Sequence, residues 1–244
     1  MRCRDYVALD LETTGLEPKN DKIIEIGAVR VRGGKIEKEY RTFVNPGRKI
    51  EERITLITGI TDKDVEGAPY IEDVLEEVLD FIGDDILVGH SILFDYSFLK
   101  RAVVNAGTLP GKQDWEKDAV DTLWIARKYL AALPSRGLKA LCEHYKIEHL
   151  AHRALGDAFA THYLLEKLAE EFYSEETKKD FAPVPLIYKV KREGPATPAQ
   201  KKRLYAMHQM HKIEADYDVE RLTKNEASRC IDKIILHFGK EGCP

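Results

Sequence analysis

Five residues in three segments of the chain have side chains that could together bind a metal ion and supply a general base: Asp10, Glu12, Asp95, His152 and Asp157. Asp10 and Glu12 lie two residues apart in an apolar run, so on a strand they point to the same face. Two like charges so placed are costly unless a cation lies between them. Mg²⁺ is a natural partner because it takes oxygen ligands. The pair therefore predicts a divalent metal site at the end of a strand.

Each segment taken alone also has a purely structural explanation. Asp10 and Glu12 would suit the polar face of an edge strand. Asp95 lies in the first turn of a predicted helix, where a carboxylate interacts favourably with the helix dipole. Asp157 opens another predicted helix, and His152, five residues earlier, would suit the protein surface. Only the three segments together indicate chemistry.

In combination, the three segments resemble the motifs of the DEDDh 3′→5′ exonucleases. The run DLETTG from Asp10 matches the Asp-x-Glu-Thr-Thr-Gly motif, and HSILFD ending at Asp95 matches the His-x-x-x-Phe-Asp motif. His152 and Asp157 have the spacing of the His-x-x-x-x-Asp motif, which distinguishes the histidine subclass from the tyrosine one. The resemblance covers about residues 5–172. Within the family, the chain resembles in particular the proofreading exonuclease domain of bacterial PolC-type replicative polymerases and the related epsilon subunit.

The resemblance implies a ribonuclease H-like α/β fold and a two-metal-ion mechanism. By this analogy Asp10, Glu12, Asp95 and Asp157 hold two Mg²⁺ or Mn²⁺ ions, and His152 is the general base. The expected reaction releases 5′-mononucleotides from the 3′ ends of single-stranded or mispaired DNA, in proofreading or repair. The expected partners are nucleic acid 3′ ends and a polymerase or another replication protein.

The resemblance also implies where the 3′-terminal nucleotide is held. The expected contacts come from the loop after the first strand and from two apolar side chains: Thr13, Thr14, Gly15, Leu16, Ile60 and Phe94. For Phe94, packing in the core is the more ordinary use of the side chain. Ser91 departs from the family, which usually has Asn after the histidine of the second motif. This difference leaves the rate and the substrate preference open.

Three further histidines have structural explanations. His90, the first residue of the second motif, is interpreted as a structural residue, and His144 and His149 as surface residues. His149 is the only competitor of His152 for the role of general base. Its eight-residue separation from Asp157 does not match the motif.

The elements that must position these residues alternate along the first 172 residues. Strand patterns occur at residues 6–11, 22–31, 36–44 and 86–88, with a strand end near residue 119 and a hairpin turn at Gly33-Gly34. Helical periodicity or helix-favouring composition occurs at residues 71–82, 94–106, 119–131, 138–145 and 157–172. Three strands followed by strands interleaved with helices predict an α/β fold, with a mixed five-stranded sheet flanked by helices.

Composition divides the chain into three parts. Residues 1–173 are predicted to form the exonuclease domain, residues 174–194 a linker and residues 195–244 a small basic helical module of unknown function. In the last part, Thr197-Pro198 and the capping-box sequence from Thr223 to Glu226 are typical of helix starts. The sequence therefore predicts two helices in the module.

Charge also differs between the parts. The formal net charge of −4 argues weakly against nucleic-acid binding, but residues from 183 onward contain 12 Lys and Arg against 8 Asp and Glu. That segment carries +4, which leaves −8 on residues 1–182. Basic clusters at residues 189–192 and 201–203 are either a solvated surface or a handle for nucleic acid phosphates. A third alternative is a protein-docking module, using an apolar stripe that otherwise forms the module's own core: Ile231, Ile234, Ile235 and Phe238.

Composition excludes several other classes of protein. With 43% hydrophobic and 33% charged residues, wholesale disorder is excluded. No apolar run approaches the ~18 residues of a membrane span. The four cysteines are scattered without a Cys-x-x-Cys pair, which favours reduced thiols in a cytoplasmic protein. Two alternatives to a DNA exonuclease stay open: the same reaction on short RNA, and a non-catalytic nucleic-acid-binding or scaffold protein.

Overall fold

Alternating apolar residues and short turns build a sheet whose strands are connected by helices. The computed structural model describes residues 4–107, 115–149 and 152–239. Its strands are β1 (Tyr6–Thr13), β2 (Ile23–Arg32), β3 (Lys35–Phe43), β4 (Leu87–Gly89), β5 (Asp118–Asp121) and β6 (Val184–Pro185). Its helices are α1 (Glu52–Thr58), α2 (Asp62–Val65), α3 (Ile71–Ile82), α4 (Leu93–Ala106), α5 (Thr122–Tyr129), α6 (Leu138–Tyr145), α7 (Ala154–Phe172), α8 (Pro198–His211) and α9 (Lys224–Phe238).

The strands form one mixed sheet in the order β3-β2-β1-β4-β5-β6. β1 pairs antiparallel with β2 and parallel with β4, so it lies inside the sheet rather than at an edge. The predicted mixed α/β sheet is thus confirmed, with one strand more than the five expected. The sixth strand has two residues, and it pairs with β5 from within the segment predicted as a linker. Two residues are too few for a period-2 pattern to identify.

The two faces of β1 have different neighbours. Val7, Leu9 and Leu11 point to the face covered by α3 and α4. Tyr6 and Ala8 point to the opposite face, which α5, α6 and α7 cover. The side chains on both faces are buried, as expected for a central strand with helices on each side. Residues 174–194 contribute to the same two cores, because Phe181 and Leu186 are buried in them.

The predicted helix pair at the C-terminal end is also present. Thr197 caps α8 and Thr223 caps α9, each through a capping box with the residue three positions later. Between them, a 3₁₀ turn spans Val219–Arg221. Together, α8, the 3₁₀ turn and α9 form the C-terminal module. The module has a core of its own, to which Ile231 and Ile234 belong, whereas Phe238 is partly exposed. Among the described residues, every helix is too short or too polar to cross a membrane.

Candidate metal centre

The alternation of β1 places two carboxylates on the face that α7 covers. Asp10 and Glu12 continue the row of Tyr6 and Ala8 toward the end of the strand. One carboxylate oxygen each from Asp10, Glu12 and Asp157 lie within 4.8 Å of one another. The register of the β1–β2 pair shifts between Glu12 and Thr13, so the regular ladder ends directly beside this cluster. The structure therefore brings together three of the four predicted metal ligands as one group.

A close approach between β2 and α7 carries Asp157 to the strand. Gly27 pairs with Asp10 in the antiparallel ladder. A Cβ atom on Gly27 would lie 2.1 Å from the backbone carbonyl carbon of Ala154, the first residue of α7. Only a residue without a side chain permits this contact. The start of α7 thus lies directly against the sheet, with Asp157 in its first turn.

A buried glutamate, which the sequence motifs did not reveal, fixes the same end of α7. Glu25 is 0% exposed and pairs with Glu12 across the ladder. Its carboxylate accepts hydrogen bonds from Arg153 Nη2 over 3.0 Å and from the Ala154 amide over 3.1 Å. Arg41 Nε donates to the same carboxylate over 2.7 Å. A single acidic residue in the apolar run IIEIGAV was the signal that could have revealed this anchor.

Asp95 approaches β1 from the side of α4. It is buried, and its Oδ1 accepts a hydrogen bond from the Leu11 amide over 2.9 Å. Leu11 lies between Asp10 and Glu12, so the fourth predicted ligand is anchored to the strand that carries the first two. Ser91 shapes the entry to α4 with a left-handed backbone, φ 75°, and its amide donates to Asp121 Oδ1 over 3.0 Å.

Burial and mutual repulsion hold the protons of this cluster tightly. Burial, followed by the charges of Asp95 and Asp157, raises the pKa of Asp10 well above its ordinary value. Burial next to Asp157 raises the pKa of Glu12 to about 7. Burial also raises the pKa values of Asp95 and Asp157. A cluster with this electrostatic cost is stabilised by divalent cations, and its all-oxygen donor set suits Mg²⁺ or Mn²⁺.

The histidine whose side chain contacts Asp157 is not the one that the motif predicts. His149 Nε2 is hydrogen-bonded to Asp157 Oδ1, and the His149 side chain is buried. The prediction of His149 as a surface residue is therefore wrong. Its partner, the Asp157 carboxylate, comes next to it only when the chain folds, so the sequence does not show the contact. His152 is exposed with φ 65°, and its backbone amide donates to Asp157 Oδ2 over 3.2 Å. Its role as general base stays a prediction.

The other two predicted histidine assignments fit the structure. His90 is partly buried and bonded on both ring nitrogens, to the Thr122 hydroxyl and to the Arg136 carbonyl, each over 2.9 Å. These bonds join the end of β4 to the start of α5 and to the loop after α5. His144 is exposed at the end of α6.

The loop after β1 presents one apolar side chain to solvent beside the carboxylates. Thr13 and Thr14 are buried, and the Thr13 hydroxyl donates to the Gly15 carbonyl over 2.6 Å. Leu16 is 82% exposed. A large apolar side chain this exposed, in the loop that follows the strand bearing Asp10 and Glu12, is available to contact a ligand.

Two predicted substrate contacts lie elsewhere. Ile60 is 2% exposed and packs in a small core with Ile24, Ile50 and Ile54. Phe94 is half-buried and packs on Phe98, with ring centroids 5.0 Å apart. In this conformation Ile60 offers no surface to a base, and Phe94 serves mainly the core. The resemblance alone pointed to contacts by these two residues.

Comparison with known proteins places the chain among exonuclease-related sequences. A family model described as "Exonuclease" matches residues 7–165. The chain is similar to a DNA polymerase III PolC-type of Thermotoga maritima, with 42% identity over 166 residues, which cover 68% of this chain and 12% of the polymerase. It is also similar to a DNA polymerase III subunit epsilon of Aquifex aeolicus, with 38% identity over 69% of this chain and 82% of the subunit. The chain thus spans about an eighth of the PolC-type relatives that it matches.

Solved structures show the same likeness. The chain resembles exonuclease X in complex with 5′ overhanging duplex DNA, with a TM-score of 0.55 and 26% identity, over 72% of this chain and 98% of that one. It resembles exonuclease I with a TM-score of 0.63 and 20% identity, over 73% of this chain and 43% of that one, a likeness of fold alone.

Proposed function

Because the chain belongs to the exonuclease family, we propose that it is a metal-dependent 3′→5′ exonuclease that shortens single-stranded or mispaired DNA ends. The observation that carries this proposal is the convergence of Asp10, Glu12 and Asp157 within 4.8 Å. The cluster lies where the Thr13–Leu16 loop leaves β1, so metal ligands and a loop suited to a 3′ end are contiguous. An acidic surface of this kind binds a phosphodiester only after cations neutralise it.

The proposal gives each residue a role that its position allows. Asp10, Glu12 and Asp157 would hold the cations, and Asp95 would add a fourth carboxylate from α4. When bound, two such cations lower the pKa of water and stabilise the charge that develops on the leaving 3′ oxygen. His152, exposed beside Asp157, would accept the proton of the attacking water. Leu16 would contact the terminal base, and the backbone of Thr13 and Thr14 the terminal sugar.

The names of the similar proteins support DNA rather than RNA as the substrate of this chain. The PolC-type and epsilon relatives are DNA polymerase III proteins, and the exonuclease X structure contains duplex DNA. We also propose that the chain acts with a DNA polymerase or another replication protein, on the same basis. Carboxylate-held cations act on the phosphate, so the same site chemistry would serve RNA.

The proposal is tested with 5′-labelled oligonucleotides that carry single-stranded DNA, mispaired DNA or RNA 3′ ends. We expect stepwise shortening from the 3′ end of the DNA substrates with Mg²⁺, and none with excess EDTA. Asp10→Ala should abolish shortening while the circular dichroism spectrum is retained. Asp84→Ala, which removes an exposed carboxylate before β4, is the matched control and should keep full activity.

Three results would contradict the proposal. Undiminished shortening in Asp10→Ala or in EDTA would exclude the metal mechanism. Faster degradation of RNA than of DNA would show that RNA, rather than DNA, is the preferred substrate. Binding of all three substrates without shortening would favour a non-catalytic binding protein.

A further inference from the structure

Residues 13–22, from the end of β1 to the start of β2, fold back on themselves and are named the substrate loop. The Thr14 amide donates to the Lys22 carbonyl over 2.8 Å, and the Lys22 amide donates to the Thr14 hydroxyl over 2.9 Å. The Asp21 carboxylate fills the space beside Gly15, where a Cβ atom would lie 2.5 Å from it. The backbone of Lys22 and the carboxylate of Asp21 therefore hold the segment that is proposed to grip the 3′ end.

The side chain of Lys22 leads out of the exonuclease domain. Its Nζ lies 2.8 Å from Glu226 Oε1, on α9 of the C-terminal module. Arg48 Nη2 lies 2.9 Å from the same oxygen, and Arg48 Nη1 donates to the Asn20 carbonyl over 3.0 Å. Lys22 and Arg48, both from the exonuclease domain, thus converge on one carboxylate of the module. Lys22 belongs to the substrate loop, and Arg48 contacts it through the Asn20 carbonyl.

Glu226 is well placed to hold this contact. Its side chain is 4% exposed, and its Oε2 accepts the Thr223 amide over 2.8 Å as part of the capping box. Burial alone would raise its pKa, but Lys22 and Arg48, with the Thr223 amide, lower the pKa to about 2. A buried carboxylate with two cationic partners keeps its charge and its position.

Separate contacts hold the module in place without this carboxylate. The Lys49 amide donates to the Asp216 carbonyl and the Asp218 amide to the Gly47 carbonyl, each over 2.7 Å. The Arg221 guanidinium lies 3.8 Å from the centroid of the Tyr70 ring. Loss of the Lys22–Glu226 pair would therefore loosen the substrate loop while the module stays docked.

We propose that the C-terminal module is a clamp on the substrate loop, and that Glu226 is a positioning residue for binding of the 3′ end. The module lies outside residues 7–165, which match the exonuclease family, so the family does not supply this role. The module acts on the substrate through Lys22 rather than through its own basic clusters. The substrate in this inference rests on the proposed function, whereas the clamp itself is a property of the fold.

Hydrogen exchange of the full chain tests the clamp independently of nuclease activity. In Lys22→Met and in Glu226→Gln, amides in residues 13–22 should exchange about tenfold faster, because the loop opens locally. Gln at position 226 can keep the capping box, so α9 should retain its protection. Lys19→Met removes the same charge from an exposed residue of the loop and is the matched control. Unchanged exchange of the loop in both variants overturns the clamp.

Kinetics on the labelled single-stranded oligonucleotide test the consequence for substrate. Lys22→Met and Glu226→Gln should each raise KM about fivefold with kcat within about twofold, because initial binding is weakened. The double variant should be no worse than Glu226→Gln alone, because that variant already removes the partner of Lys22, together with that of Arg48. An unchanged KM despite a loosened loop overturns the positioning role. If the wild-type protein shortens no oligonucleotide, the proposed function fails, and hydrogen exchange still decides the clamp.

One further variant distinguishes the clamp from the alternative that the module binds nucleic acid phosphates. Lys202→Met removes an exposed cation of α8 and should leave KM and its salt dependence unchanged. If this variant instead raises KM and reduces the salt dependence, while Lys22→Met and Glu226→Gln do not, the module is a handle and the clamp is overturned.

Discussion

Gly27 and Ala154 are so close that a Cβ atom on Gly27 would lie 2.1 Å from the Ala154 carbonyl carbon. Gly27 is also the cross-strand partner of Asp10. A residue of the sheet with no side chain thereby sets the distance between the strand that bears Asp10 and the helix that bears Asp157. The spacing of the carboxylate cluster depends on this contact as much as on the carboxylates themselves.

Gly27→Ala should therefore damage stability and metal binding together. The added methyl group meets backbone rather than a movable side chain, so α7 must shift away from the sheet. We expect a loss of about 2–3 kcal/mol in the free energy of unfolding, and weaker Mn²⁺ binding by calorimetry. Gly67→Ala is the control, since a Cβ there meets no atom within 4 Å. Unchanged stability in Gly27→Ala would refute the close packing.

The raised pKa of Glu12 makes the metal-free protein less stable as the pH rises. Its pKa is about 7 in the folded protein and near 4.5 when unfolded, so the folded state binds the proton more tightly. The stability linked to this proton is present below pH 4.5 and is lost as the pH rises through 7. Glu12 alone would account for up to about 3 kcal/mol.

Guanidinium unfolding in EDTA at about pH 5 and about pH 8 measures this effect. Glu12→Gln should lose less stability than the wild type over the same interval. Mg²⁺ should reduce the loss in the wild type, because it binds the charged form of the folded site. Equal losses in both proteins would show that Glu12 has no raised pKa.

The two histidines near Asp157 should differ sharply in their effect on turnover. His152 is exposed and able to reach substrate, whereas His149 is buried and occupies an oxygen of Asp157. His152→Ala should reduce kcat by about a hundredfold or more, as expected for loss of a general base. His149→Ala should reduce it less than about tenfold. The reverse order, in the same oligonucleotide assay, would assign the base to His149.

Ser91→Asn should stabilise the protein. The residue has φ 75°, a conformation that Asn tolerates better than Ser. We expect a gain of up to about 1 kcal/mol in the free energy of unfolding, because Asn relieves part of the cost of a left-handed backbone, with kcat/KM within about twofold of the wild type. Ser91→Ala, which has no such preference, should give no gain. Increased activity without increased stability would mean that the amide acts on substrate instead.

Local patterns predicted most of the fold. The apolar period at residues 71–82 became α3, and residues 138–145 became α6. The helix expected from Asp157 begins at Ala154, because the Glu25 carboxylate holds the Ala154 amide across the sheet. The two short helices before α3 and the two-residue strand β6 were not predicted, since each is too short for a periodic signal.

The candidate site was predictable in composition but not in geometry. Motif spacing selected Asp10, Glu12, Asp95 and Asp157, and the structure brings the first two together with Asp157. The contacts of Glu25 and Ile60, and the burial of His149 against Asp157, depend on how the chain packs after folding. Such contacts leave no periodic trace in the chain: the lone acidic residue in IIEIGAV marks Glu25 as unusual, but only the folded structure shows its partners.

Alternate residues of β1 have different roles: one set packs in an apolar core, and the other includes the predicted metal ligands. Odd-numbered positions from Val7 to Leu11 are buried in one core, while Asp10 and Glu12 continue the row on the other face. One residue inserted or deleted before Asp10 would exchange the faces, because side chains alternate with a period of two. It would drive carboxylates into an apolar core, and the metal ligands would be replaced by Leu9 and Leu11 after an insertion, or by Leu11 and Thr13 after a deletion. A change in the register of β1 would thus disrupt the hydrophobic core and the proposed metal site at the same time.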